Sequence, residues 1–103
     1  MAEGLDLAPE HLAIVLEILT RRVPGREVWA FGSRVQGKAR KYSDLDLAVI
    51  SDKPLPPGLL GDLWDDFEES DLPIRVDVLD WAATAAGFQQ IIAARKVVIK
   101  EKN

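Results

Sequence analysis

Between Pro9 and Arg22, Leu12, Val15, Leu16 and Leu19 recur every three or four residues, the rhythm of a helix with one face turned to a core. Pro9 suits the first helical position and Glu10 the positive end of the helix dipole. Arg21 and Arg22 suit the negative end, and Pro24-Gly25 stops the helix. The rhythm changes at Glu27 to Phe31. Val28-Trp29-Ala30-Phe31 is long enough for a buried strand and too short for a helix, and Trp29 reads as a core or sheet-face residue. A second strand is expected from Asp44 to Ile50, where the run Leu47-Ala48-Val49-Ile50 predicts burial on both faces. Helical spacing returns with Leu59, Leu60, Leu63, Trp64 and Phe67, setting a helix over Leu59 to Glu69 that Leu72-Pro73 breaks. Ile74 to Leu79 alternates and is rich in β-branched residues, so it reads as a third strand. A last helix is expected over Trp81 to Ala94 with Asp80 as N-cap, then a short strand over Lys96 to Lys100.

Turn residues fill the gaps. Ser33 to Gly37 reads as a short helix with Ser33 as its N-cap, and Lys38 to Ser43 as the loop that returns to the second strand. Pro54, Pro56 and Pro57 mark a surface loop. Residues 1–7 are expected to be loose. Helices alternating with strands predict an α/β sandwich, a small mixed sheet with helices packed on it, in one domain spanning residues 1–103.

Composition narrows the classes. With no cysteine, a disulfide framework and a thiolate metal site are both excluded. No apolar run approaches a membrane span, and the first ten residues lack a basic leader, so a cytoplasmic location without membrane contact is the expectation. A net charge of -4 argues against direct nucleic-acid binding as the main task. The basic residues are nevertheless uneven: Arg34, Lys38, Arg40 and Lys41 gather around the turn after the first strand, as a polyanion site or as a solvated loop.

The candidate chemistry lies between the first two strands. Gly32 permits a close backbone approach or a positive φ, and free N–H groups at the start of the following turn offer a seat for phosphate. Asp44 and Asp46 are two apart on a strand and so point to one side. Two facing carboxylates repel, which a protein tolerates when a hard cation such as magnesium bridges them. Asp77 interrupts the apolar third strand between Val76 and Val78. It pairs with Arg75 on the same face, lies at a sheet edge, or joins the other two carboxylates. The acidic run Asp62, Asp65, Asp66, Glu68 and Glu69 reads as a solvated helix face. His11, the only histidine, is expected at the surface, away from the chemistry. Ser43 reads as shaping the turn into the second strand.

Gly32-Ser33, ten further residues, then Asp44-Leu45-Asp46 resembles the signature of the nucleotidyltransferase superfamily that includes DNA polymerase β. The short chain, with Gly32-Ser33-Arg34 and Ser43-Asp44-Leu45-Asp46-Leu47, is similar to the minimal nucleotidyltransferases, from the first helix to about Asp80. The resemblance implies a polymerase β-like fold, with Asp44, Asp46 and Asp77 as catalytic metal ligands for Mg2+. It implies Gly32, Ser33 and Arg34 at the nucleotide phosphates, with Lys38 as a further cation. It also implies transfer of AMP from ATP or another NTP to a tyrosine of a helical HEPN-type toxin, the chain acting as antitoxin. With little room for an acceptor-binding domain, the acceptor would come from that partner or from a homo-oligomer. A contact-only antitoxin and an enzyme acting on a small molecule remain open beside it.

Overall fold

The computed structural model describes residues 3–102. Its order is α1 (Pro9–Arg22), β1 (Glu27–Phe31), a 3-10 turn (Ser33–Val35), β2 (Leu45–Ile50), α2 (Leu59–Glu68), β3 (Val76–Asp80), a second 3-10 turn (Trp81–Ala83), α3 (Ala86–Ala94) and β4 (Val97–Lys100). The four strands form one mixed sheet in the order β3-β2-β1-β4. β1 runs antiparallel to both β2 and β4, and β2 and β3 are parallel. The architecture is the small α/β sandwich that the alternation of periods predicts.

Strand alternation gives the sheet two different faces. Val28, Ala30, Leu45, Leu47, Val49, Val76 and Val78 point to one side and join Leu12, Val15, Ile18 and Leu19 of α1 and Leu63 and Phe67 of α2 in a single core. The other face carries Trp29, Phe31, Asp46, Ala48, Asp77 and Leu79. It is roofed over β1 and the adjoining part of β2. Trp81 meets Trp29 edge-on with centroids 4.8 Å apart, and Phe88 of α3 meets Phe31 at 5.9 Å. Ala48 is fully buried yet stands outside the core cluster, which places it in the second layer and explains why β2 reads as apolar on both sides.

Four local expectations change. The segment before α1 is tied down where residues 3–7 are described: Leu7 is buried, and the Asp6 N–H donates to the Arg34 carbonyl at 2.7 Å. Residues 1–2 lie outside the described residues. The expected last helix is two elements. The Thr84 hydroxyl donates to the Asp80 carbonyl at 2.8 Å, and Thr84 and Ala85 are extended, so α3 starts at Ala86. Asp80 caps the 3-10 turn instead, accepting from the Ala82 N–H at 3.1 Å and from the Leu55 N–H at 2.9 Å. The acidic face of α2 is more than solvated. Arg22 grips Asp66 with two bonds of 2.6 and 3.1 Å, clamping α1 to α2. His11 is half-buried on α1, whose apolar side packs on the sheet face opposite the carboxylates.

Candidate active site

The site is built by the ends of three adjacent strands. β1 ends at Phe31, and Gly32 follows with φ +82° and ψ −156°, backbone that is nearly restricted to glycine. A Cβ at Gly32 would collide with the Asp46 carboxylate. The glycine thus supplies both the freedom and the close approach expected of it, and what approaches is the second aspartate. Gly32 also takes the N-cap position expected of Ser33, which is the first residue of the 3-10 turn and makes no side-chain cap. The turn is three residues long, shorter than the expected helix over Ser33 to Gly37. Its first N–H groups, on Ser33 and Arg34, have no helical partner. Gly37, with φ +70°, marks the turn's end.

In register, Phe31 stands beside Asp46 on β2, and Asp46 beside Asp77 on β3. Side chains of neighbouring in-register residues share a face, so an aromatic ring and two carboxylates form a row across three strands. Asp44 lies one turn of the pleat earlier, exposed, just before β2. Burial, then the Asp77 and Asp44 carboxylates, push the Asp46 carboxyl up to about 6. Asp77 also makes the expected ion pair with Arg75, Nε to Oδ1 at 3.1 Å, with Arg75 largely exposed and Asp77 about half so. The pair and the carboxylate row therefore coexist at an edge strand.

Among the described residues, no three acidic or imidazole side chains converge closely enough to hold an ion by themselves. The chemistry of the row still suits magnesium. That ion is commonly held by one or two carboxylates with substrate phosphates and water completing its shell. Asp46, disfavoured as an anion by its own surroundings, is the group a divalent cation would relieve most.

Arg34 departs from its expected place. It is 7% exposed, and its guanidinium donates to the carbonyls of Asp6 at 2.8 Å, Ser43 at 3.0 Å, Lys41 at 3.2 Å and Arg40 at 3.4 Å. Those bonds use four of the guanidinium's five N–H donors and fix the loop that delivers Asp44. The Ser43 hydroxyl accepts from the Arg40 N–H at 2.7 Å, the turn-shaping role its position suggests. Lys38, Arg40 and Lys41 remain exposed around the site. The bracing contacts of Arg34 could not be read from the sequence. No local pattern marks an arginine as buried.

The family model described as "Polymerase beta, Nucleotidyltransferase" matches residues 15–103. A relative from Haemophilus influenzae (strain ATCC 51907 / DSM 11121 / KW20 / Rd), named "Probable protein adenylyltransferase MntA", is 58% identical over 98 residues, covering 95% of this chain and 86% of its own. The solved "Crystal structure of the toxin-antitoxin with AMP-PNP" has the same fold, with a TM-score of 0.72 at 22% identity over 86% of this chain and 72% of that one. The chain belongs to the polymerase β nucleotidyltransferase family.

Proposed function

We propose that the chain transfers AMP from ATP to a tyrosine hydroxyl of a HEPN-type toxin and so acts as its antitoxin. One observation carries the reading: Asp46 and Asp77 stand in register on parallel strands, against the glycine turn that a Cβ would close. The names of the relative and of the structural neighbour, a protein adenylyltransferase and a toxin-antitoxin complex with an ATP analogue, support the donor and the setting.

Nucleotidyl transfer asks a protein mainly for positioning and charge neutralisation. Mg2+, held by Asp44, Asp46 and Asp77 together with the nucleotide, would supply positive charge to the polyphosphate. The N–H groups of Ser33 and Arg34 and the Ser33 hydroxyl face the β- and γ-phosphates across Gly32. Lys38 adds a mobile cation nearby, and Arg34 acts as a positioning residue through the loop it braces. Asp77 takes the proton of the attacking phenol. The phenol oxygen bonds to the α-phosphorus, the bond from that phosphorus to pyrophosphate breaks, and the proton passes from Asp77 to solvent.

The test is incubation with ATP and Mg2+, with and without the toxin partner, followed by intact mass of both proteins. The expected result is AMP on the partner's tyrosine, lost when EDTA is added. Asp77→Asn should still bind Mg-ATP but transfer about a hundredfold or more slowly. Toxin neutralised by an Asp44→Asn, Asp46→Asn double variant would establish the contact-only antitoxin instead.

A further inference from the structure

β3 closes one end of the sheet, so among the described residues one edge of it has no strand beside it. The ladder shows which groups that edge offers. The Leu45 N–H donates to the Arg75 carbonyl at 2.9 Å, so Arg75, Asp77 and Leu79 turn their backbone groups toward β2. Val76 and Val78 turn theirs outward, at a narrow opening that leaves the two residues 7% and 5% exposed. The Val78 carbonyl accepts from the Trp64 indole N–H at 3.3 Å, and the Thr84 hydroxyl closes the Asp80 carbonyl. Among the described residues nothing bonds to the N–H and carbonyl of Val76 or to the N–H of Val78 from that side.

Along this edge runs a groove of about 640 Å3, between the C-terminal half of α2 and β3. Trp64, Phe67, Leu72 and Ile74 give it an apolar wall, Glu68 lines it, and Asp77 lies at its site end. Trp64 is 49% exposed despite its bond to β3, so the indole forms a wall that water still reaches. Exposed Glu69 and Asp71 flank the same segment, while Arg75, the one cation in the lining, is already paired with Asp77.

We propose that this groove receives the acceptor as a short, extended, basic peptide segment that pairs with the outer edge of β3 and presents a tyrosine beside Asp77. The inference rests on the nucleotidyltransferase reading and specifies its acceptor. Free backbone donors and acceptors next to an apolar wall are what an added strand uses. Glu68 in the lining, with exposed Glu69 and Asp71 beside it, favours Lys or Arg flanking the tyrosine and disfavours a polyanion such as RNA. Trp64 and Thr84 limit the open edge to the few residues before Val78, which suits a short segment better than the joining of two whole sheets. A residue paired alongside Asp77 shares its face, and hence that of Asp46. The phenol then lies where its oxygen can bond to the α-phosphorus as pyrophosphate departs and its proton moves to Asp77.

The experiment uses the whole chain with Mg-ATP and three acceptors. These are the acetylated, amidated peptide Lys-Val-Tyr-Val-Lys, the same peptide N-methylated at both valines, and N-acetyltyrosine amide. Mass spectrometry reads AMP addition, and amide NMR reads Val76 and Val78. We expect the plain peptide to be modified at least about tenfold faster than either control and to shift both amides. Glu68→Lys should slow its modification and favour a peptide with Glu in place of Lys. Equal rates for all three acceptors, or modification without a change at Val76 and Val78, would overturn the edge-pairing. So would amide shifts that follow protein concentration alone, since a second copy would then occupy the edge. Calorimetry of Mg-ATP separates the two levels. Binding of Mg-ATP with transfer to the toxin but to none of the peptides defeats the edge inference alone, whereas no Mg-ATP binding defeats the reading beneath it.

Discussion

Asp46 is where burial and charge act most directly. Its carboxyl titrates near 6 in the folded chain, against 3.8 for the unperturbed group. Between those values the native state holds a proton that the unfolded state has released, so stability falls as pH rises through about 6. In metal-free protein Asp46→Asn removes the charge that causes this loss. The variant should melt a few degrees higher at pH 8, about 1 kcal/mol after allowing for solvent screening at a half-exposed group, and equal to wild type at pH 4. A melting series in EDTA checks it. Arg34 makes the opposite kind of prediction. Arg34→Met strips four carbonyls of a charged donor and should destabilise by about 2–4 kcal/mol, measured by urea unfolding. Arg34→Lys should recover only part, because an ammonium cannot span the fork. Mg-ATP affinity per folded molecule should stay within about threefold in Arg34→Lys if the residue braces the loop rather than binding phosphate.

Elements were legible where periodicity carries the information. The apolar faces of the first two helices and the alternating third strand appear in the structure within a few residues of their expected ends, because burial on one face imposes the period. The pairing of Asp46 with Asp77 was not readable in the same way, since register is decided between strands and no local spacing records it. The last helix failed for a local reason. Trp81, Ala82 and Ala83 have adequate helix propensity, but the Thr84 hydroxyl competes for the Asp80 carbonyl, and Trp81 is held against Trp29. Arg22 and Asp66 were both read as solvent-facing charges matched to their own helices, yet each answers the other across two helices. The Arg22 hydrogen bond is the main cause holding the Asp66 carboxyl below the usual range, with Arg21 adding to it. That contribution is present above the unfolded carboxylate range and disappears as pH falls through the lowered folded value. Asp66→Asn should therefore lower the melting temperature at pH 7, with the difference closing as pH falls through the lowered folded value. A difference that persists unchanged to low pH would assign the effect to packing of the side chain instead.

Across the whole molecule, stability and chemistry occupy opposite faces of one sheet. The core lies between the sheet and the α1 and α2 pair, while the carboxylate row lies on the other face beyond the roof made by α3. The sequence showed both sets of residues through β2, whose Leu45, Leu47 and Val49 alternate with Asp46 and Ala48. It could not show that α3 would pack over β1, Phe88 against Phe31, at the end of the row away from Asp77. The separation has a measurable consequence. Leu63 of α2 is fully buried in the core, and Leu63→Ala should lose about 2–5 kcal/mol. Asp46→Asn, on the far face, should keep or gain stability without metal. Ligand stabilisation reverses the order, because a ligand that binds only the native state raises the melting temperature according to its affinity. Saturating Mg-ATP should raise the melting point of wild type and of Leu63→Ala by similar free energies from different baselines, and raise that of Asp46→Asn little. The shift in wild type should also shrink below pH 6, where the cation must displace a proton from Asp46. A ligand shift in Leu63→Ala much smaller than in wild type would mean that the core holds the strand ends in register, and that the two faces are coupled through β2 rather than independent.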